Sequence, residues 1–197
     1  LLEWAAERPN ALLTVQDHRL LCPGRGKWTQ AGEVCRRPLA RESCASCFED
    51  AAYFRKVFAL TERRLAAARR MRLTVLSRYM REELVAAGVP AEQVQVVPPF
   101  VYDLDPEARP SGPPCVLFVG RLVEAKGVWE AVEAWRQSGL ERPLVLVGTG
   151  PLRDRLAAAR REHETLEITG WLDRGALARA YARAEALLLP SRWQEPF

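Results

Sequence analysis

Nowhere in these 197 residues does an apolar run reach the length of a membrane-crossing helix; EALLLP at 185–190 is a buried strand at most. No G-x-G-x-x-G occurs, so there is no dinucleotide fingerprint, and no internal repeat appears at solenoid periods. Neither sign of charge dominates. Lys and Arg total 29 against 25 Asp and Glu. The resulting net charge of +4 suits an anionic ligand, an anionic membrane surface or nucleic acid, and selects none of them. A starting methionine is also lacking. The chain opens at Leu1 and stops at Phe197 inside a motif, as expected of a fragment truncated at both ends, which leaves an upstream targeting segment open.

What is present is an ordinary globular composition, 48% hydrophobic and 27% charged, long enough for one large domain or two small ones. The pattern alternates. LLTVQ (12–16), LTVL (73–76) and VQVV (94–97) read as strands, with a helical pattern from about 45 to 70. Ser77 can cap the helix RYMREELVAAG, which Gly88 ends. Residues 98–114, PPFVYDLDPEARPSGPP, are proline-rich and aperiodic and read as a linker between domains at 1–97 and 115–197. Beyond it the rhythm is regular. Strands CVLFVG (115–120), PLVLVG (143–148), LEIT (166–169) and ALLLP (186–190) alternate with helices at 128–135, 151–162 and 173–184. Continuous apolar strands separated by amphipathic helices predict an α/β fold with doubly wound parallel sheets.

Ligands of such sheets bind beyond the carboxyl ends of the strands. That rule selects Gln16 to His18, Ser77, Gly120 and Arg121, Gly148 to Pro151, Gly170 and Trp171, and Ser191 to Glu195. In FVGRLVEAKGVWEAVEAW (118–135), Gly120 permits a tight turn after the strand, and Arg121 and Lys126 stand before the next helix. Arg121 can fork onto two phosphate oxygens and Lys126 adds a point charge, enough to hold a diphosphate without a metal. The same pair could be two exposed cations on a surface turn. Gly148 and Gly150, in VGTGPLRDRL, either let a ligand approach closely or simply make a turn.

As a set, FVGRLVEAKGVWEAVEA, LVGTGPLRDRL, ITGWLDRGALARAYARAEALLLPSRWQEPF and VLSRYMREELVAAGVPAEQVQVVPP resemble the family 4 glycosyltransferases, in order and spacing, over almost the whole chain. The resemblance implies a GT-B fold of two Rossmann-like domains facing a cleft, both incomplete in this chain. It implies an acceptor side in the first and a nucleotide-sugar donor, UDP- or GDP-linked, in the second. The diphosphate-binding pair maps onto Arg121 and Lys126, and the first of two family glutamates, which contacts the donor sugar, onto Glu195. The second would lie eight residues further, past Phe197. Gly120, Gly148, Gly150, Trp171 and Ser191 are the expected donor-binding residues. The implied activity is retaining, hexosyl-type transfer to a glycan, lipid-linked or small-molecule acceptor, as in polysaccharide biosynthesis. It needs no protein nucleophile and no catalytic cofactor or metal. A cytoplasmic location, with peripheral contact at the inner membrane face, is the matching expectation, and the fragment alone is expected to be inactive. The D-x-D at Asp103–Asp105, a metal motif in glycosyltransferases of another fold, falls in the linker and reads as surface.

The chain departs from the family where relatives often place a histidine, because Gln16 stands there. Asp17 and His18 remain acceptor-side candidates, His18 alternatively as a loop residue with a structural hydrogen bond. Just beyond, Cys22, Cys35, Cys44 and Cys47 follow C-x12-C-x8-C-x2-C. That spacing is compatible with a structural zinc site, with free thiols or with two disulfides. Cys115 reads as a small core residue. The basic stretch ERRLAAARRMR (62–72) is a solvated helix face or a contact for anionic lipid. Two other readings stay open: a GT-B relative without transferase activity, degenerate or epimerase-like, and a zinc-stabilised nucleic-acid-binding module. The second needs a basic aromatic surface, whereas Tyr53, Phe54 and Phe58 fall at core-like helical spacing, so no nucleic-acid partner is expected.

Overall fold

The structure, a computed structural model, describes residues 1–102, 105, 107–161 and 164–197. Asp103 and Leu104 of the D-x-D therefore lie outside the described residues. The chain divides into two compact units, Leu1–Phe100 with Trp193–Phe197, and Val101–Arg192.

In the first unit the order is α1 (Leu2–Ala5), β1 (Leu12–Val15), α2 (Arg41–Ala45), α3 (Ala51–Ala68), β2 (Arg72–Val75), α4 (Arg78–Ala86) and β3 (Val94–Val96). The strands form a parallel sheet in sequence order, with Leu13 opposite Leu73 and Leu73 opposite Val94. Its core joins Val15, Leu73, Val75 and Val94 to Leu65 of α3 and to Met80 and Leu84 of α4. The helical pattern expected from 45 onward breaks in two. Asp50 accepts bonds from the Ala52 and Tyr53 amides (2.8 and 3.0 Å) and so starts α3 afresh. Phe54 and Phe58 are buried in it, and Tyr53 is exposed. At α4 the Ser77 hydroxyl caps the Met80 amide (3.2 Å).

In the second unit the order is β4 (Cys115–Val119), α5 (Val128–Ser138), β5 (Leu144–Val147), α6 (Arg153–Arg160), β6 (Leu166–Gly170), α7 (Arg174–Arg183) and β7 (Ala184–Leu187). All pairings are parallel and the sheet order is β6-β5-β4-β7. Strand alternation splits the core. Val116, Phe118, Leu144 and Leu146 pack with α5 and α6, whereas Cys115, Leu117, Val145 and Val147 pack with α7. The chain thus steps outward from β4 through β5 to β6, then returns to the far side of β4 by way of α7. The switch point of this doubly wound sheet lies between β4 and β7.

Candidate functional site

At the carboxyl ends of the strands in the second unit, two loops are stitched together by backbone. The Leu122 amide donates to the Thr149 carbonyl (2.8 Å), and the Leu152 amide donates to the Leu122 carbonyl (3.1 Å). The glycines make this approach possible. A Cβ on Gly148, whose φ is +139°, would lie 1.8 Å from the Gly120 oxygen, and one on Gly150 would lie 2.3 Å from the Leu122 oxygen. Only hydrogen fits at either place.

A cavity of about 210 Å³ opens over these loops, lined by Gly120, Arg121, Gly148, Thr149 and Trp171, with Leu177 of α7 beneath. Arg121 and Trp171 are both exposed at it. Lys126 does not line this cavity. It ends a 3-10 turn, Glu124–Lys126, that precedes α5, and it is half-buried. Gly127 follows with φ +68° and N-caps α5, and its missing Cβ would lie 1.9 Å from the Pro190 oxygen. The loop after β7 is held there too: the Arg192 amide donates to the Ala125 carbonyl (2.9 Å) and its guanidinium pairs with Glu130 (3.2 Å). Arg121, Lys126 and Ser191 therefore all leave from the two strands that flank the switch point.

Glu195 belongs to the first unit. Its segment packs there through the Ser77 hydroxyl, which donates to the Pro196 carbonyl (2.6 Å), and the Tyr79 hydroxyl, which donates to Gln194 Oε1 (2.7 Å). His18 is fully buried with Nε2 3.1 Å from the same Tyr79 oxygen. Because the single hydroxyl proton points to Gln194, His18 Nε2 carries the imidazole proton. Nδ1 is then a bare acceptor, buried and without a hydrogen-bond partner among the described residues. Burial pushes the His18 pKa below its usual value and the Lys27 ammonium adds to this, against Glu83, Asp17 and Glu195. Burial and Glu83 push the Tyr79 phenol up to about 12. Asp17 accepts from the Arg19 amide (2.9 Å) and caps the short turn that holds His18.

A larger cavity of about 470 Å³ in the first unit is lined by Lys27, Arg36, Arg37, Arg69 and Glu83. Much of its charge is already engaged: Lys27 pairs with Glu83 (2.6 Å), and Arg69 donates to the Ala87 carbonyl (2.6 and 3.1 Å). It lies between the loop after β1 and the residues of α3 and α4. In the basic stretch 62–72, Arg63 is likewise taken up by Glu3 (2.8 and 2.6 Å).

The five cysteines are free; Cys115 is buried and the other four are half-buried. Burial raises the Cys44 thiol pKa, with Cys22 and Cys35 adding to it. Among the described residues no three His, Cys, Asp or Glu side chains are gathered as a metal-holding group. Tyr79 and Gly127 escaped the sequence reading, and Gln194 entered it only inside the span Ser191 to Glu195. Only Gly127 left a signal, a glycine directly before the helix of VWEAVEAW.

Residues 103–197 match the family model of the group 1 glycosyl transferases. Glycogen synthase of Mycobacterium tuberculosis is 38% identical over 93 residues, 44% of this chain and 22% of that protein. The structure of sucrose-phosphate synthase from Thermosynechococcus elongatus is similar with a TM-score of 0.53 at 26% identity, covering 69% of this chain and 40% of that one. Anabaena HepE in complex with UDP gives a TM-score of 0.62 over all of this chain and 52% of its own, at an identity, 15%, that speaks to fold alone. The chain thus spans about a fifth of the glycogen synthase and about half or less of these solved structures. Residues 103–197 are thus similar to the group 1 glycosyl transferases, and the parallel α/β units are like those of the GT-B neighbours.

Proposed function

We propose that the chain forms part of a retaining glycosyltransferase of the family 4 type, which moves a hexosyl group from a UDP- or GDP-sugar to a glycan, lipid-linked or small-molecule acceptor. The observation that carries this is the placement of Arg121, Lys126 and Ser191 at the switch point between β4 and β7, beside the glycine-stitched cavity at Gly120, Gly148 and Trp171. Breaking a sugar–phosphate bond leaves a nucleoside diphosphate with growing negative charge. Fixed cations stabilise that charge without reorganising at the moment of reaction. Arg121 forks onto the diphosphate and Lys126 adds a point charge, so no catalytic metal is required. Gly120 and Gly148 let the backbone approach it, Gly150 holds the second loop close, and Trp171 and Ser191 contact the donor.

Glu195 contacts the donor sugar and Asp17 faces the acceptor; His18, fully buried against Tyr79, does not reach an acceptor and is instead the loop residue with a structural hydrogen bond. The acceptor hydroxyl attacks from the face the phosphate leaves, and the departing phosphate takes its proton. In this reading transfer also uses a second glutamate, eight residues after Glu195 in the family pattern. Among the described residues no helix is long and apolar enough to cross a membrane. The proposed setting is cytoplasmic, at the inner membrane face where a lipid-linked acceptor is used.

The test is a screen of UDP- and GDP-sugars with protein that continues through that second glutamate. Release of nucleoside diphosphate and the anomeric configuration of the product are followed by NMR, with and without a chelator. A retained configuration and chelator-insensitive turnover are expected. An inverted product, or turnover restored only by a divalent metal, would contradict the mechanism.

A further inference from the structure

The cavity of about 470 Å³ in the first unit carries more positive charge than its walls balance. Lys27, Arg36, Arg37 and Arg69 line it, and Glu83 is the one carboxylate among its lining residues. That carboxylate is taken up by Lys27, at 2.6 Å. Lys27 is buried, and its φ of +62° lies in the left-handed region. No other non-glycine residue among the described ones has a positive φ. A side chain adopts this conformation only where its surroundings fix it, and such residues cluster at ligand sites.

The three arginines have no counterion among the described residues. The Arg36 side chain is exposed and makes no hydrogen bond or ion pair there. Arg37 reaches only the Ser43 carbonyl, at a long 3.5 Å. Arg69 places Nε and Nη2 on the Ala87 carbonyl (3.1 and 2.6 Å), which leaves its Nη1 group open. A carbonyl orients a guanidinium without neutralising it. Leu21 and Leu65, both buried, and the half-buried Leu39 add apolar wall. Like charges on one concave surface repel one another, and walls of low dielectric strengthen the field they share. Such an arrangement is complementary to a single, multiply charged anion.

We propose that this cavity binds a phosphate group, held by Arg36, Arg37 and Arg69 beside the Lys27–Glu83 pair. Guanidinium forks match the oxygens of a phosphate two at a time. Four cations against one carboxylate leave an excess of three positive charges, which suits a dianion better than a carboxylate. Two sources share this chemistry. One is a free phosphate ion; the other is a phosphate at the end of an apolar chain, for which Leu21, Leu39 and Leu65 supply the wall. The site lies within the first unit, apart from Arg121 and Lys126, and is independent of the proposed transfer.

The test uses the whole chain in a buffer free of phosphate and sulfate. Inorganic phosphate, hexyl phosphate and hexanoate are titrated calorimetrically at about 0.15 M salt, where attraction to scattered surface charge is screened. Hexyl phosphate should bind saturably, and hexanoate at least about tenfold more weakly. Inorganic phosphate binding as tightly as hexyl phosphate would assign the site to the free ion, and weaker binding would assign it to a phosphate with an apolar tail. The double variant Arg36→Gln, Arg37→Gln should lose about 10- to 100-fold of the affinity, the range of charge-assisted hydrogen bonds, with its melting temperature unchanged. Should the double variant fail to fold, the wild-type chain still decides: hexyl phosphate should protect Arg36 and Arg37 from phenylglyoxal, read residue by residue by mass spectrometry. No saturable binding of either phosphate would overturn the proposal, as would hexanoate bound as tightly as hexyl phosphate. So would a folded double variant that binds as the wild type does, or modification of Arg36 and Arg37 that ignores the ligand.

Discussion

The two units solve the same problem, holding loops at the carboxyl ends of a parallel sheet, by different means. In the second unit backbone lies against backbone: Gly148 on Gly120, Gly150 on Leu122 and Gly127 on Pro190, at separations that exclude any Cβ. In the first unit the corresponding loop after β1 runs through 26 residues without a buried apolar side chain. It relies on side-chain contacts: Asp17 on the Arg19 amide, Lys27 on Glu83, and His18 on Tyr79. Under the proposed function the difference has a physical reason: a loop that holds a diphosphate needs a fixed backbone, because its donors must already point at the developing charge, whereas a loop facing varied acceptors has no such requirement. The family match, which covers residues 103–197, takes in nearly all of the backbone-fixed unit and the Trp193–Phe197 segment of the first.

The comparison can be broken most severely at Gly148. Gly148→Ala should cost about 3–5 kcal/mol, or prevent folding of the second unit, because the new methyl collides with a carbonyl that cannot move without β4. Gly139→Ala is the control. It also has positive φ, +65°, but nothing within 4 Å of its Cβ position, and should cost only about 1 kcal/mol. Urea denaturation of both variants measures the difference. Equal losses would mean that the close approach is not what fixes these loops.

A smaller effect is expected in the first unit. Tyr79→Phe removes the oxygen that serves both His18 and Gln194, and should cost about 1–3 kcal/mol by leaving buried polar groups unpaired. The loss should appear in the first unit's unfolding and leave nucleoside-diphosphate binding by the second unit unchanged. An unchanged midpoint would show that side-chain fastening contributes little there.

The smallest effect is a pH dependence. His18 has a folded pKa below the ordinary 6.5, mainly through burial. As pH falls below about 6.5 the unfolded chain takes up a proton that the folded chain refuses, so stability should decline toward acid. His18→Gln should flatten this part of the profile in thermal melts between neutral and mildly acid pH. A slope unchanged by the substitution would assign the effect to other groups.

Much of the second unit was legible in the sequence because its strands are uninterrupted apolar runs. CVLFV and LVLV are the strands the pattern demanded, and Arg121 follows the first beyond its carboxyl end, whereas the switch point became visible only with the strand order. Elsewhere the same signal misled. The run ALLLP suggested a strand at 186–190, yet pairing with β4 takes Ala184–Leu187, because an edge strand is set by its neighbour's register. The helical pattern from 45 missed that Asp50 could cap, since a run of helix-compatible residues does not say where the chain turns. Contacts such as Gly127 with Pro190 and Tyr79 with Gln194 join residues more than sixty positions apart. No spacing rule reaches that far.

The most direct test is a calorimetric titration of UDP and UMP into the 197-residue chain and its Arg121→Ala and Lys126→Ala variants. If these two side chains hold a diphosphate, UDP should bind more tightly than UMP. Each variant should lose about 10- to 100-fold of the UDP affinity, as expected for charge-assisted hydrogen bonds worth about 1.5–3 kcal/mol, with its melting temperature unchanged. GDP in place of UDP would shift the base preference and leave the pattern intact. Equal affinities for diphosphate and monophosphate, or variants that bind both nucleoside diphosphates as the wild type does, would contradict the assignment of the switch-point loops as the donor site.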